Sequence, residues 1–281
     1  MRGMCWSRRL VIAVAIAVGA VVGAPTATTG SPVNGPPDPP TTQVPATVSA
    51  TCSGGPSGDY PFVATVPTSV RAGQPFPVEI AFDGFPLPPT TAGYVDLSIG
   101  GGTATDVTIA VEGRTYLVAT WAPRQQFTFA ITGFGFLDGS QFISQSCVVD
   151  APAEFASIPV RHATPFDAAQ ITAEQRVGIF CRQFPGGFPF GFVQDVSVTA
   201  PNQARVGEPF TIEAQGAVAV TGGVQSGQTI TPTGAVGDTV DFSYNGSFTE
   251  YLPPPFPPLP FRICEQWGGT VHLASVPIVA R

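Results

Sequence analysis

Two histidines, His162 and His272, and five cysteines are the side chains in this chain of 281 residues best suited to nucleophilic or metal chemistry. No His-Glu-x-x-His, Cys-x-x-Cys or Asp-x-Asp-x-Asp spacing supplies either histidine with further ligands, so neither a metal nor another cofactor is expected. Gly54-Gly55-Pro56-Ser57-Gly58 lacks the Gly two positions before its Ser that a nucleophile elbow requires, and it reads as a turn. Two carboxylate pairs lie close enough for acid–base work, Asp238 with Asp241 and Glu208 with Glu213. Residues three or five apart on a strand point to opposite faces, which argues against cooperation within either pair. Asn245-Gly246-Ser247 has the form of a glycosylation acceptor and reads here as a turn. All 12 basic residues are Arg, which excludes Schiff-base lysines, Ser-Lys dyads and the P-loop lysine. The expectation is a chain without catalytic residues.

Aromatic rings among prolines are the more prominent feature. Phe184-Pro185-Gly186-Gly187-Phe188-Pro189-Phe190-Gly191-Phe192 and the run from Tyr251 to Phe261 place large apolar side chains where dense proline prevents a central strand. Phe188, Phe190, Tyr251, Leu252, Phe256 and Leu259 form the candidate interaction loop, provided that these rings stay exposed. The competing reading folds them back as a cap over the core.

The elements that carry these residues follow from composition. Charged residues make up 11% of the chain, and 32 Gly and 31 Pro punctuate short Val, Thr, Phe and Ile runs, which points to an all-β fold. Arg2, Arg8 and Arg9 precede an uninterrupted apolar run from Leu10 to Val22, the pattern of a signal peptide over residues 1–24. The pair Arg8-Arg9 leaves both general and twin-arginine export open. Without that leader 9 Arg face 19 Asp and Glu, so nucleic acid and anionic membranes are poor partners. Residues 25–47 are rich in Pro and Thr and read as a disordered, extended spacer.

Comparison of the chain with itself shows an internal repeat. Val66-Pro67 through Arg71-Ala72-Gly73-Gln74-Pro75-Phe76 to Glu79 aligns with Ala200-Pro201 through Arg205-Val206-Gly207-Glu208-Pro209-Phe210 to Glu213 at a single offset. Ala156-Ser157-Ile158-Pro159-Val160 aligns likewise with Ala274-Ser275-Val276-Pro277-Ile278. Of the three ways to join the four cysteines outside the leader, only Cys52 with Cys147 and Cys181 with Cys264 respects that repeat. Each copy contains several short strands at the spacing of a sandwich, which sets modules at 48–161 and 176–281 with an interdomain linker at 162–175. The shared Arg-x-Gly-x-Pro-Phe segment reads as a turn that relies on a glycine at positive φ and leads into an edge strand.

With its spacer and its paired copies of the Arg-x-Gly-x-Pro-Phe segment, the region 48–281 resembles secreted bacterial Ig-like repeat proteins. The resemblance implies two tandem Ig-like β-sandwiches. It also implies a non-catalytic adhesive or scaffolding role in the cell envelope or outside the cell. The expected protein binds an envelope protein, a glycan or a lipid or serves structurally, as a monomer, and the sequence offers no transmembrane segment once the leader is removed. It departs from antibody-type domains in cysteine spacing and in lacking a central Trp in the second module. The alternative is a secreted enzyme or small-ligand carrier with its site between the modules, which a polar cleft with converging Asp, Glu or His near Pro165 to Arg176 would favour.

Overall fold

The computed structural model describes residues 39–53, 56–82, 91–102, 106–119, 125–138, 143–162, 169–183, 189–251 and 260–280. Every regular element among them is a strand, which agrees with the all-β expectation. The N-terminal lobe holds β1 (Thr41–Ser53), β2 (Gly58–Pro67), β3 (Val70–Arg71), β4 (Pro75–Phe82), β5 (Thr91–Gly100), β6 (Asp106–Ala110), β7 (Thr115–Val118), β8 (Gln126–Asp138) and β9 (Ile143–Arg161). The C-terminal lobe holds β10 (Gln170–Gln183), β11 (Phe190–Pro201), β12 (Ala204–Arg205), β13 (Phe210–Thr211), β14 (Glu213–Gln215) and β15 (Val218–Thr221). It continues with β16 (Gly223–Ser226), β17 (Thr229–Pro232), β18 (Thr239–Tyr244), β19 (Phe248–Tyr251), β20 (Pro260–Gln266) and β21 (Val271–Val279).

Period-2 burial explains why these segments are strands. In β2 the alternate residues Tyr60, Phe62, Ala64 and Val66 are buried, and in β8 Phe127, Phe129 and Ile131 are. The lobes have separate cores. That of the N-terminal lobe is rich in Phe, with Phe82 and Phe134 centroids 4.7 Å apart and Phe76 meeting Phe127 edge to face at 5.0 Å. That of the C-terminal lobe is mainly aliphatic, built around Val196, Val198, Val240, Phe242, Leu273 and Val276, and it takes in one residue of the other lobe, Tyr116.

The sheets do not follow the lobes. The largest runs β15-β18-β21-β7-β4-β2-β1-β9-β8-β5-β6 and passes from one lobe to the other where β21 lies parallel to β7 at Ala274 and Tyr116. A five-stranded sheet, β14-β11-β10-β20-β19, and a three-stranded one, β13-β17-β16, complete the C-terminal lobe.

Two elements reach into stretches that the sequence reading treats as linkers. β1 starts at Thr41, inside the spacer expected over 25–47, because Thr41 to Ala50 pair with Pro67 to Gly58 by main-chain bonds. Val44 and Ala46 alternate inward in phase with Val48 and pack on the core half-buried, but among Thr, Gln and Pro two such residues are a weak strand signal. Pro45 is tolerated because this half of β1 has a neighbour on one side only. β10 starts at Gln170, inside the linker expected over 162–175, with Ile171, Ala173 and Gln175 buried. A small and a polar residue at inward positions hide the pattern. β4 also differs from the edge strand expected after the turn, since β7 and β2 flank it. Pro75 is its first residue and faces β7 alone, so its missing N–H costs little.

The aligned segments adopt the same local turn. Gly73 and Gly207 have φ of 68° and 66°, the left-handed region that the turn reading requires. Gln74 N donates to Arg71 O at 3.2 Å and Glu208 N to Arg205 O at 3.1 Å. β3 then runs parallel to the end of β9, and β12 parallel to the end of β21. The disulfides join Cys52 to Cys147 and Cys181 to Cys264, as the repeat register implies. Each bridges directly paired residues of neighbouring strands, β1 with β9 and β10 with β20.

Candidate functional site

Polar main chain and close-fitting glycines hold the lobes together, and that contact creates the cleft. Arg114 N donates to Glu174 O at 2.8 Å and Glu174 N to Arg114 O at 3.3 Å, a single antiparallel bridge across the junction. Gly113 beside it has no room for a side chain, because a Cβ there would lie 2.9 Å from Glu174 O. Gln203 Nε2 donates to Gly73 O at 3.1 Å. Gly268 turns β20 into β21 directly against the Tyr94 ring, and Trp267 meets the same ring at 6.5 Å.

Above the bridge the lobes part around a cavity of about 960 Å³. One wall is the outer face of β1, β2 and β4, where Gln43, Thr65 and Glu79 stand side by side in register. The facing wall is the β10–β11 hairpin. There Thr172, Glu174 and Arg176 alternate outward on β10, with Ser197 and Asp195 opposite Glu174 and Arg176 on β11. Glu112, Gly113, Arg114 and Gln175 line its base. A smaller cavity of about 330 Å³, bounded by Pro39, Pro40, Thr41 and Pro77, shares Thr65, Glu79 and Arg114 with the first.

Charge in the cleft is partly paired. Arg114 Nε meets Glu79 Oε1 at 2.8 Å, and this bond keeps the guanidinium charged beyond its ordinary range. Arg176 Nε meets Asp195 Oδ1 at 3.3 Å. Glu112 has φ of 58°, a left-handed backbone seldom adopted by a residue with a side chain, and its N–H donates to Ile80 O at 3.0 Å. Such a surface can hold hydroxyl, amide or cationic groups through carboxylates, Arg and short polar side chains. Among the described residues that line it there is no histidine, cysteine or aromatic ring. Asp96, whose carboxyl burial raises above its ordinary value, bonds Thr108 Oγ1 at 2.6 Å and is not part of the cleft.

The residues singled out from sequence lie elsewhere. His162 is exposed at the end of β9, and the His272 ring on β21 meets Ser275 Oγ at 3.1 Å. Asp238 accepts from Ala235 N in a turn, while Asp241 accepts from Thr239 and Ser275. Glu208 pairs with Arg205, and Glu213 is exposed on β14. Asn245 Oδ1 accepts from Ser247 N at 3.0 Å, a side-chain-stabilised turn. Of the candidate interaction loop, Phe188, Leu252, Phe256 and Leu259 lie outside the described residues. Phe190 packs against the Cys181–Cys264 bridge, under Arg262 at 5.1 Å, and Tyr251 is 59% exposed on β19.

The alternative reading from sequence named a polar cleft near Pro165 to Arg176, where Thr172, Glu174, Gln175 and Arg176 do line it. The facing residues were missed because the lining comes from six strands and one turn. The outward Thr172-x-Glu174-x-Arg176 row was the available signal, obscured by the assignment of that stretch to a linker. Among the described residues no helix is long and apolar enough to cross a membrane, and no three His, Cys, Asp or Glu form a metal-binding group. No protein-family model, curated protein or solved structure matches the chain.

Proposed function

We propose that this chain is an exported, non-catalytic binding protein of two Ig-like modules, acting in the cell envelope or outside the cell, with its ligand held in the cleft between the lobes. The cleft is the observation that carries the reading: with Glu174 and Arg176 facing Glu79, it meets the criterion set above for a site between the modules and turns the reading toward a ligand carrier. Its volume is that of a ligand site, two flat sheet faces wall it, and its polar rows alternate at strand spacing, which suits an extended polar chain better than a compact apolar molecule. The excess of carboxylate over Arg in its lining favours neutral or cationic ligands. Two disulfides agree with an oxidising compartment. The matching turns at Gly73 and Gly207 and the matching placement of the two cystines support the two-module reading.

A second surface has its own support. Phe190, Phe192 and Arg262 stack at one end of the five-stranded sheet, with Phe248 and Tyr251 exposed beside them on the edge strand β19. This rim is the natural place for an envelope protein or lipid partner.

Glycan and peptide arrays probed with the secreted protein, followed by Arg176→Ala and by Phe192→Ser with Tyr251→Ser, separate these readings. Loss of the captured ligand with Arg176→Ala alone supports the cleft. Loss with the aromatic pair alone moves the site to the rim. Chemical turnover of the ligand would replace the binding reading by a secreted enzyme.

A further inference from the structure

Asn245, Gly246 and Ser247 join β18 to the edge strand β19, and neither binding surface proposed above uses them. Gly246 is required there, because a Cβ would run into the side chains of Ile179 and Tyr244. The turn therefore keeps an Asn-Gly pair, in which no side chain on the second residue shields the first from attack by the next main-chain nitrogen. In that reaction Gly246 N loses its proton and bonds Asn245 Cγ, the Cγ–Nδ2 bond breaks, and Nδ2 leaves as ammonia. Water then opens the five-membered imide at either carbonyl. The product is Asp or an isoaspartyl link, which has one more atom in the main chain.

The turn prepares one half of this reaction and blocks the other. Asn245 is exposed, and its Oδ1 accepts the Ser247 N–H at 3.0 Å. A donor on that oxygen stabilises the tetrahedral intermediate, whose negative charge develops there. Asn245 Nδ2, the leaving group, donates to Thr270 Oγ1 at 3.3 Å. The nucleophile is held back. Gly246 N donates to Gln266 Oε1 at 2.6 Å, so the bond uses the proton that the reaction must remove. A carbonyl oxygen at that distance also repels the amide anion that would be left. Gln266 is 5% exposed, and its own main-chain N–H donates to Ser247 Oγ at 3.0 Å, so it grips the turn at two points.

We propose that Asn245 is a latent self-modification site, a deamidation centre formed by the turn and kept closed by the side chain of Gln266. Opening it replaces a neutral side chain by a carboxylate and, in the isoaspartyl product, lengthens the chain three residues before Phe248. Phe248 and Tyr251 are the exposed rings of β19, so the modification shifts the strand that carries the aromatic rim. None of this depends on which surface binds a ligand.

The disulfide-bonded protein, incubated in mildly alkaline buffer and mapped by peptide mass spectrometry, reports the reaction as the mass gain of NH2 replaced by OH at Asn245. Chromatography separates the Asp and isoaspartyl forms. Wild type unfolded in urea should deamidate at Asn245 at least about fivefold faster than folded wild type, the rate equivalent of one hydrogen bond. Gln266→Met keeps the side-chain length and removes the acceptor, and circular dichroism verifies that it folds. In the folded state it should deamidate at Asn245 about fivefold faster than wild type or more, and Gln266→Glu, which keeps an acceptor, should not. A folded Gln266→Met variant as slow as wild type would overturn the guard. Equal rates in folded and unfolded wild type would overturn it without any variant, and an unfolded chain that stays intact at Asn245 would remove the site itself.

Discussion

Gln175 of the C-terminal lobe donates its side-chain N–H to Thr115 Oγ1 of the N-terminal lobe at 2.5 Å, and both residues are almost fully buried. The second amide hydrogen goes to His272 O, and Oε1 accepts from Ala110 N at 3.1 Å. All three groups lose their partner in Gln175→Leu, and each buried polar group left unsatisfied costs about 1–3 kcal/mol. The variant should therefore melt well below wild type in scanning calorimetry, whereas Gln215→Leu on the exposed cleft wall should not.

Gly268 and Gly269 both have positive φ, 83° and 77°, but only the first is enclosed. A Cβ on Gly268 would lie 2.4 Å from the Tyr94 ring, while one on Gly269 meets nothing within 4 Å. Gly269→Ala should lose about 1–2 kcal/mol from backbone strain alone. Gly268→Ala should lose clearly more in urea titration, because the lobes must also separate to admit the methyl group.

The cystines close long loops, with sequence separations of 95 for Cys52 and Cys147 and 83 for Cys181 and Cys264. The chain-entropy relation gives about 4–5 kcal/mol for each loop. Replacing both cysteines of one pair by Ala should lower the urea midpoint strongly. Failure of both pairwise variants to do so would show that the unfolded chain is already compact.

Asp96 carries a carboxyl that burial raises above its ordinary value, so the folded protein binds that proton more tightly than the unfolded chain. Its charge lowers stability as pH rises through and above the ordinary carboxylate range. Asp96→Asn retains an acceptor for Thr108. Its melting temperature should exceed that of wild type at pH 7, with the advantage gone near pH 3.

Glu112 keeps a left-handed backbone at the base of the cleft. Glycine adopts that conformation freely, so Glu112→Gly should leave stability unchanged or raise it by about 1 kcal/mol. The same substitution should weaken ligand capture on the arrays. Gain of stability together with undiminished capture would remove Glu112 from the site.

Local signals account for what was legible in advance. Phe62, Phe76, Phe127 and Phe129 announced their strands by alternation beside Gly and Pro, and Gly73 and Gly207 announced a turn that only glycine enters without strain. The cystine pairing was legible because the aligned segments put the four cysteines in register. β1 and the start of β10 were not, since the inward Val44 and Ala46 are only half-buried among Thr, Gln and Pro and the segment is held largely by main-chain pairing, which side-chain type marks weakly. Asp241, Ser275 and His272 form a hydrogen-bonded chain that no spacing foretells. Within β21, residues 272 and 275 would point to opposite sides by simple alternation, and the shift in pairing register next to Phe242 and Ser243 breaks that rule.

Residue type and order by themselves determined the all-β class, the turns, the identity of the disulfide partners and the absence of lysine chemistry. Each of these depends on residue type, on one residue's own conformational range or, for the cystines, on the register of two copies of the same segment. The tertiary structure alone decided that β21, already paired with β18, also pairs with β7 of the other lobe, that Gln175 and Tyr116 cross between lobes, and that a polar cleft opens above the bridge of Arg114 and Glu174. Contacts between residues 60 or more positions apart depend on how two nearly complete surfaces fit, and a linear reading of side-chain periodicity contains no term for that fit.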